Sequence, residues 1–194
     1  MQKIAVFASG SGTNAENLAH YFSQHDQIRV THIFSNKEDA FVHERAARLN
    51  IPSETFSRSQ FKSAEFPAYL AEFGISCIVL AGFLWLIPPL LIERFPNSIL
   101  NIHPSLLPAF GGKGMYGEHV HRAVIAQGVA ESGITIHLVN DKYDEGKVLF
   151  QAKTDVQVGD DHASLARRIH QLEYEHFPSV VENFLLGNQQ PLSL

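Results

Sequence analysis

The feature that most restricts this chain is a junction near its N-terminus. Ile4, Ala5, Val6, Phe7 and Ala8 form an unbroken apolar run, which gives way to Ser9-Gly10-Ser11-Gly12-Thr13-Asn14. Ala15, Leu18, Tyr21 and Phe22 then follow at helical spacing. A short continuous run is what a strand buried on both faces requires. A strand that enters a helix through a glycine turn opens a parallel α/β unit. The same turn suits a phosphate. Glycine lets the backbone approach an anion without a Cβ, and the helix start offers unpaired N–H groups and a positive dipole end. Thr13 and Asn14 add side-chain donors and are good N-caps. Gly10, Gly12 and Ala15 also fit a loose dinucleotide fingerprint. That fingerprint wants a carboxylate at the end of the second strand, where Phe34-Ser35-Asn36-Lys37 stands instead, so nicotinamide binding is disfavoured.

The pattern repeats. Apolar runs predict strands over 28–34, 75–80 and 98–102, with a short one at 53–56. Helical stretches over 38–49, 67–74 and 88–95 alternate with them. Strand–helix alternation over about 100 residues argues for a doubly wound, mostly parallel α/β sheet of Rossmann-like type. The second half reads differently. A helix over 118–127 precedes strands at 133–139 and 148–156, joined by a polar turn at 140–147, which makes them an antiparallel pair. A last helix carries Leu165, Ile169, Leu172, Phe177, Val180 and Phe184 on one stripe, with Pro178 expected to kink it and Gly187 to end it. The expectation is one domain over 1–186, with a phosphate-binding half to residue 100 and a catalytic half beyond it. Residues 187–194 read as a tail.

Composition narrows the function. With 194 residues, 45% of them hydrophobic, the chain can bury a sizeable core. A formal charge of −5 and no basic run disfavour a nucleic-acid partner. The single cysteine, Cys77, excludes an intrachain disulfide framework and fits a reducing compartment. The N-terminal apolar run is too short for a signal peptide, and none approaches the ~20 residues of a spanning helix. The expectation is a soluble cytoplasmic protein with no membrane partner, monomeric or homodimeric.

Two later segments carry chemistry. Ala81-Gly82-Phe83-Leu84-Trp85-Leu86-Ile87-Pro88 follows a buried strand at its C-terminal end, where open parallel sheets bind ligands. It could wall a slot for a flat heterocycle or pack on the core. In Asn101-Ile102-His103-Pro104 the amide and imidazole are two apart at a strand's end, so they share a face. Side by side they can donate to one developing oxyanion. Downstream, Asp144 begins a D-x-G after a strand and a polar turn. Asp141 is its local competitor, and the D-x-G pattern selects Asp144. A carboxylate near His103 would favour the imidazolium and raise its pKa.

With SGSGTN, FSNKEDAF, VLAGFLWLI, NIHPSLLP, HVHRAV and SGITIHLVNDKYDEG in this order, the chain resembles the phosphoribosylglycinamide formyltransferases over nearly its whole length. These are folate-dependent enzymes of purine biosynthesis within the formyltransferase superfamily. The resemblance implies a doubly wound α/β fold and 10-formyltetrahydrofolate as formyl donor. The acceptor would be the amine of a glycinamide on ribose 5-phosphate. It implies that Gly12, Thr13 and Asn14 bind the phosphate. Leu84, Trp85, Leu86 and Ile87 would line the pterin slot, and Asn140 and Asp141 would touch the pterin from the turn before Asp144. Asn101, His103 and Asp144 would be catalytic, and Glu173 would hold the acceptor's amine end. Two features depart from the family's pattern. The segment 109–118, AFGGKGMYGE, is long and glycine-rich, and Gly111, Gly112 and Gly114 with Lys113 suit a phosphate contact, a flap or a plain surface loop. Arg58 and Lys62 are the basic residues before the pterin strand, where an arginine often meets the folate's glutamate. His119, His121 and His137 could suggest a metal. No metal is expected, because His119 and His121 open a helix and formyl transfer needs no Lewis acid.

Overall fold

The computed structural model describes residues 1–187. They fall into two compact units, Met1–Asn101 and a second that begins at Ile102. Of the expected tail, the residues after Gly187 lie outside the described part.

The first unit runs β1 (Gln2–Phe7), α1 (Thr13–Tyr21), β2 (Ile28–Ser35), α2 (Val42–Arg48), β3 (Ser53–Thr55), α3 (Arg58–Lys62), α4 (Glu65–Glu72), β4 (Cys77–Leu80) and α5 (Pro89–Arg94). β5 (Ile99–His103) closes it and carries the chain into the second unit. The strands lie in the order β3-β2-β1-β4-β5, and each neighbouring pair is parallel. Val6 is flanked by Ile33 and Val79. Such strands are buried on both faces, which is why Ile4 to Ala8 and Cys77 to Val79 show no alternation. After β3 the chain returns to the far side of β1, so the topological switch point lies between β1 and β4. An aromatic cluster of Phe7, Phe34, Phe56, Phe61 and Phe66 fills one side of this core.

Two elements differ from expectation. The helix predicted from residue 38 begins at Val42. The Val42 N–H donates to the Gly10 carbonyl at 3.1 Å, which holds the residues before it as a turn against the glycine loop. The short helix α3 was not expected, although its signal was in the sequence. Ser57 and Gln60 form a reciprocal capping box.

The second unit holds α6 (Glu118–Gln127), β6 (Glu131–Leu138), β7 (Val148–Asp155) and α7 (His162–Leu185). β6 and β7 are antiparallel, with Ile134 opposite Ala152 and Thr135 opposite Gln151. A Cβ on Gly133 would stand 2.0 Å from the Ala152 carbonyl oxygen, so only glycine allows this approach. α7 starts from a capping box of Asp161 and Ser164. Leu165, Ile169, Phe177 and Val180 are buried, whereas Leu172 and Phe184 are half-buried at the edge of the stripe. Pro178 lies inside the helix, and Gly187 follows its end with φ 70. Among the described residues no helix is long and apolar enough to cross a membrane.

Candidate active site

In the first unit the loops after β1 and β4 meet at the switch point. The Ser9 N–H donates to the Gly82 carbonyl at 3.0 Å, and the Leu84 N–H donates to Ser9 Oγ at 3.0 Å. The glycine loop is also held from α2, where Arg45 Nε donates to the Ser11 carbonyl at 2.9 Å and Arg45 pairs with Glu16. The N-cap of α1 is Gly12, in the left-handed region at φ 74, with no side-chain cap. This corrects the expectation that Thr13 or Asn14 caps the helix; they are its first two residues. The reason is packing. A Cβ on Gly12 would lie 2.3 Å from Val42 Cγ2, so the turn needs glycine where a side-chain cap would otherwise sit. The helix start still places first-turn amides and the positive dipole end beside this loop.

Trp85 is half-buried on a bed of Phe56, Phe61 and Phe83, at ring distances of 6.0, 5.7 and 6.2 Å. The Arg58 guanidinium lies 5.3 Å above the indole. Leu84 is half-buried and Leu86 exposed, whereas Ile87 turns its side chain into the core.

In the second unit the central group is His103, the last residue of β5, 3% exposed. Asn101 stands two residues earlier on the same strand and is half-buried. His103 Nε2 lies 2.8 Å from the Phe110 carbonyl oxygen. A carbonyl can only accept, so Nε2 carries the hydrogen and donates it. Nδ1 therefore faces Asp144, whose Oδ2 is 3.5 Å away. The Gly112 N–H donates to that same oxygen at 2.9 Å. The glycine-rich segment thus holds the carboxylate through its backbone. Asp141 is exposed in the turn, and the Asn140 carbonyl oxygen of the side chain accepts the Lys142 N–H at 3.0 Å. Asp144, at φ 57, is the carboxylate that reaches His103. The glycine of the D-x-G has a steric cause. A Cβ on Gly146 would fall 1.6 Å from the Leu138 carbonyl oxygen.

The electrostatics correct one expectation. Burial lowers the His103 pKa more than Asp144 and the Phe110 carbonyl raise it, so the net shift is downward. For Asp144, burial works toward a higher pKa, but the His137 hydrogen bond, the charge of His103 and the Gly112 N–H outweigh it and hold the carboxyl below its ordinary value. The resting pair is a carboxylate beside an imidazole that resists protonation.

His137, which the sequence suggests only as a metal ligand, stands in this cluster as well. It is buried on β6, and its Nδ1 donates to the Leu138 carbonyl at 2.9 Å. Its Nε2 lies 3.7 Å from Asp144 Oδ1. Asp144 therefore sits between two imidazoles, each of which donates its far ring N–H to a backbone carbonyl. The ladder irregularity between Ile136 and His137 accompanies this placement, and no sequence pattern announces it. Behind the His103-Pro104 corner, Thr135 Oγ1 donates to the Ser105 carbonyl at 2.7 Å and accepts the Leu107 N–H at 2.9 Å. Gln151 Nε2 donates to the Leu107 carbonyl at 3.0 Å. Glu173 is buried on α7, with Oε2 3.0 Å from His170 Nδ1, and its charge reaches His103. A cleft of about 520 Å³ lies against this cluster, lined by Leu107, Pro108, Gly112, Tyr143, Asp144 and Val148.

An imidazole and an amide two residues apart on one strand, with a carboxylate against the imidazole, are groups that can donate to a developing oxyanion. The family described as Formyl transferase matches residues 2–181. The chain belongs to the formyl transferase family. It is 39% identical over 188 residues to "Phosphoribosylglycinamide formyltransferase, chloroplastic" of Arabidopsis thaliana, covering 93% of this chain. It spans 64% of that relative's length. It is 35% identical over 193 residues to the phosphoribosylglycinamide formyltransferase of Haemophilus influenzae, covering 96% of this chain and 89% of that one. Its fold is similar to the crystal structure of glycinamide ribonucleotide transformylase 1 from Symbiobacterium toebii, with a TM-score of 0.88 and 34% identity. That match covers 96% of this chain and 89% of the other. The doubly wound fold expected from the sequence agrees with this likeness.

Proposed function

We propose that this chain transfers the formyl group of 10-formyltetrahydrofolate to the amine of 5'-phosphoribosylglycinamide, with residues 1–186 acting as one formyltransferase domain. The products are the N-formylglycinamide ribonucleotide and tetrahydrofolate, a step of purine biosynthesis. The observation that carries the reading is the His103–Asp144 pair at the end of β5, with Asn101 on the same strand face. The family match and the similarity to relatives named for this reaction support it. Both substrates are small molecules. A cytoplasmic setting fits the single buried thiol of Cys77.

The chemistry follows from these groups. The acceptor amine attacks the formyl carbon, a C–N bond forms, and the formyl oxygen gains negative charge. The Asn101 amide and the His103 Nε2–H donate to that oxygen. For His103 the oxyanion takes the place now held by the Phe110 carbonyl. Protonation at Nδ1, against Asp144, strengthens the donor as charge develops. The new ammonium loses a proton, the folate nitrogen gains one, and the tetrahedral intermediate collapses with cleavage of the bond to that nitrogen. Gly12, Thr13 and Asn14 hold the ribonucleotide phosphate at the start of α1. Leu84, Trp85, Leu86 and Ile87 line the pterin slot with Asn140 and Asp141, and Glu173 holds the acceptor's amine end.

The test is a spectrophotometric assay for tetrahydrofolate with and without glycinamide ribonucleotide. Product that depends on the ribonucleotide is the expected result. Product formed equally without it would identify a hydrolase, and no product with either would sink the reading.

A further inference from the structure

His170 has no part in the scheme above, yet it touches a group that does. It stands on α7, one turn before Glu173, with Nδ1 3.0 Å from Oε2 of that carboxylate. The two ends of the contact differ in access to water. The Glu173 side chain is 7% exposed and that of His170 is 49% exposed. One hydrogen bond therefore joins a buried carboxylate to solvent. An imidazole suits such a junction, because it accepts a proton at one nitrogen and releases one from the other.

The chemistry demands an outlet. An α-amino group titrates at about 7.7–8.0, so near neutral pH an acceptor amine arrives largely as an ammonium. Only the neutral amine has the lone pair that attacks a formyl carbon. We propose that His170 carries the acceptor's first proton from Glu173 to solvent. The inference rests on the reading of Glu173 as the holder of the amine end. An N–H bond of the ammonium breaks as an O–H bond forms on Glu173. That O–H, facing Nδ1 of a ring whose hydrogen is on Nε2, breaks as the proton joins Nδ1 of His170. The imidazolium then releases its Nε2 proton to water or buffer, and the ring regains its starting tautomer through solvent. The balance is one ammonium converted to one amine, with one proton delivered to water. His170 acts through Glu173 and is a positioning residue in that sense.

The surroundings agree. On its own helix His170 meets Glu173 and the stacked ring of Tyr174, 6.2 Å away at 14°. From α6 it meets the edge of His121, 6.5 Å away at 77°. Farther along, Glu118 and His162 pair with each other at 2.7 Å. The hydrogen bond to Glu173 raises the His170 pKa against the effect of burial, which keeps the ring able to take a proton near neutral pH. Burial and then the charge of His170 hold His121 at about 4, so His121 stays uncharged and does not compete for Glu173.

The experiment compares the parent, His170→Gln and Glu173→Gln from pH 6.5 to 9, reading kcat/KM for the acceptor. His170→Gln keeps a polar side chain beside Glu173 but cannot titrate. The expected result is a loss of about tenfold at the acidic end, modest for a general-base contribution. It should shrink toward parity at pH 9, where the amine arrives neutral, and free imidazole in the buffer should restore activity at pH 6.5. KM for the folate should not change. A defect of equal size at every pH, or none at any pH, overturns the proposal. Glu173→Gln should raise the acceptor KM across the whole range. If it does not, the reading of Glu173 has failed; if it does while His170→Gln tracks the parent, only the relay has failed.

Discussion

At His103 burial and Asp144 act in opposite directions, and burial is the larger effect. Under the proposed function, His103 is a donor that gains its charge when the substrate does. A histidine already charged at rest would stabilise ground state and transition state alike, and only the difference between them accelerates the reaction. Asp144→Asn keeps the shape of the site and removes the charge that favours the imidazolium. His103 should then titrate lower still in a histidine NMR experiment, and kcat should fall by about 10²–10³, the usual effect of losing one charge-stabilising group. Both KM values should stay within a few fold. If His103 titrates alike in parent and variant, Asp144 is not its charge partner. That Asp144 and not Asp141 stands against His103 agrees with the D-x-G spacing. Its second imidazole, His137, was not. Its contact with Asp144 spans a strand end and a turn, and such a contact leaves no periodicity.

At the scale of elements, the glycine loop and α1 work as one unit. Gly12 is both the N-cap and the point where the loop touches Val42. Gly12→Ala would meet Val42 and would also have to hold φ 74 with a side chain, a strain of about 1–3 kcal/mol. The acceptor KM should rise well beyond the folate KM, and the melting temperature should fall. An unchanged acceptor KM would remove the phosphate from this loop. The loop after β4 allows a separate check. Trp85 sits half-buried between a cation and a bed of phenylalanines, so its fluorescence should respond to any ligand entering there. A saturating folate analogue should shift it, and the ribonucleotide alone should do so much less. Silence to the analogue would leave Trp85 as part of the core.

For the whole molecule the buried titratable groups point to weakness toward acid. His121 and His103 have folded pKa values below the ordinary 6.5, His121 at about 4. Between the folded and unfolded values the unfolded chain binds more protons, so stability is lost as pH falls below 6.5. Asp144 acts in the same sense at lower pH, since its depressed pKa stabilises the fold only while the carboxyl stays ionised. His170 acts oppositely, its raised pKa favouring the fold below 6.5. The melting temperature should therefore drop between pH 7 and pH 4.5, and less steeply in His121→Phe, which removes one of these buried imidazoles. An equal slope in parent and variant would show that His121 is not buried in its neutral form in solution.

Local pattern in the sequence determined the strands, the glycine loop, the helix over 118–127 and the Asn101-x-His103 pair. Each depends on contacts within a few residues or on burial that shows as an apolar run. The tertiary structure decided the rest. It moved the start of α2 to Val42, because that N–H belongs to Gly10. It made Gly12 rather than Thr13 the cap, because Val42 leaves no room for a Cβ. It turned Gly112 into a ligand of Asp144, placed His137 on the other carboxylate oxygen and set His170 beside Glu173 on α7. It also reversed the expected shift of His103. The sign of that shift depends on how much water the fold removes, and a sequence carries no measure of desolvation at one side chain.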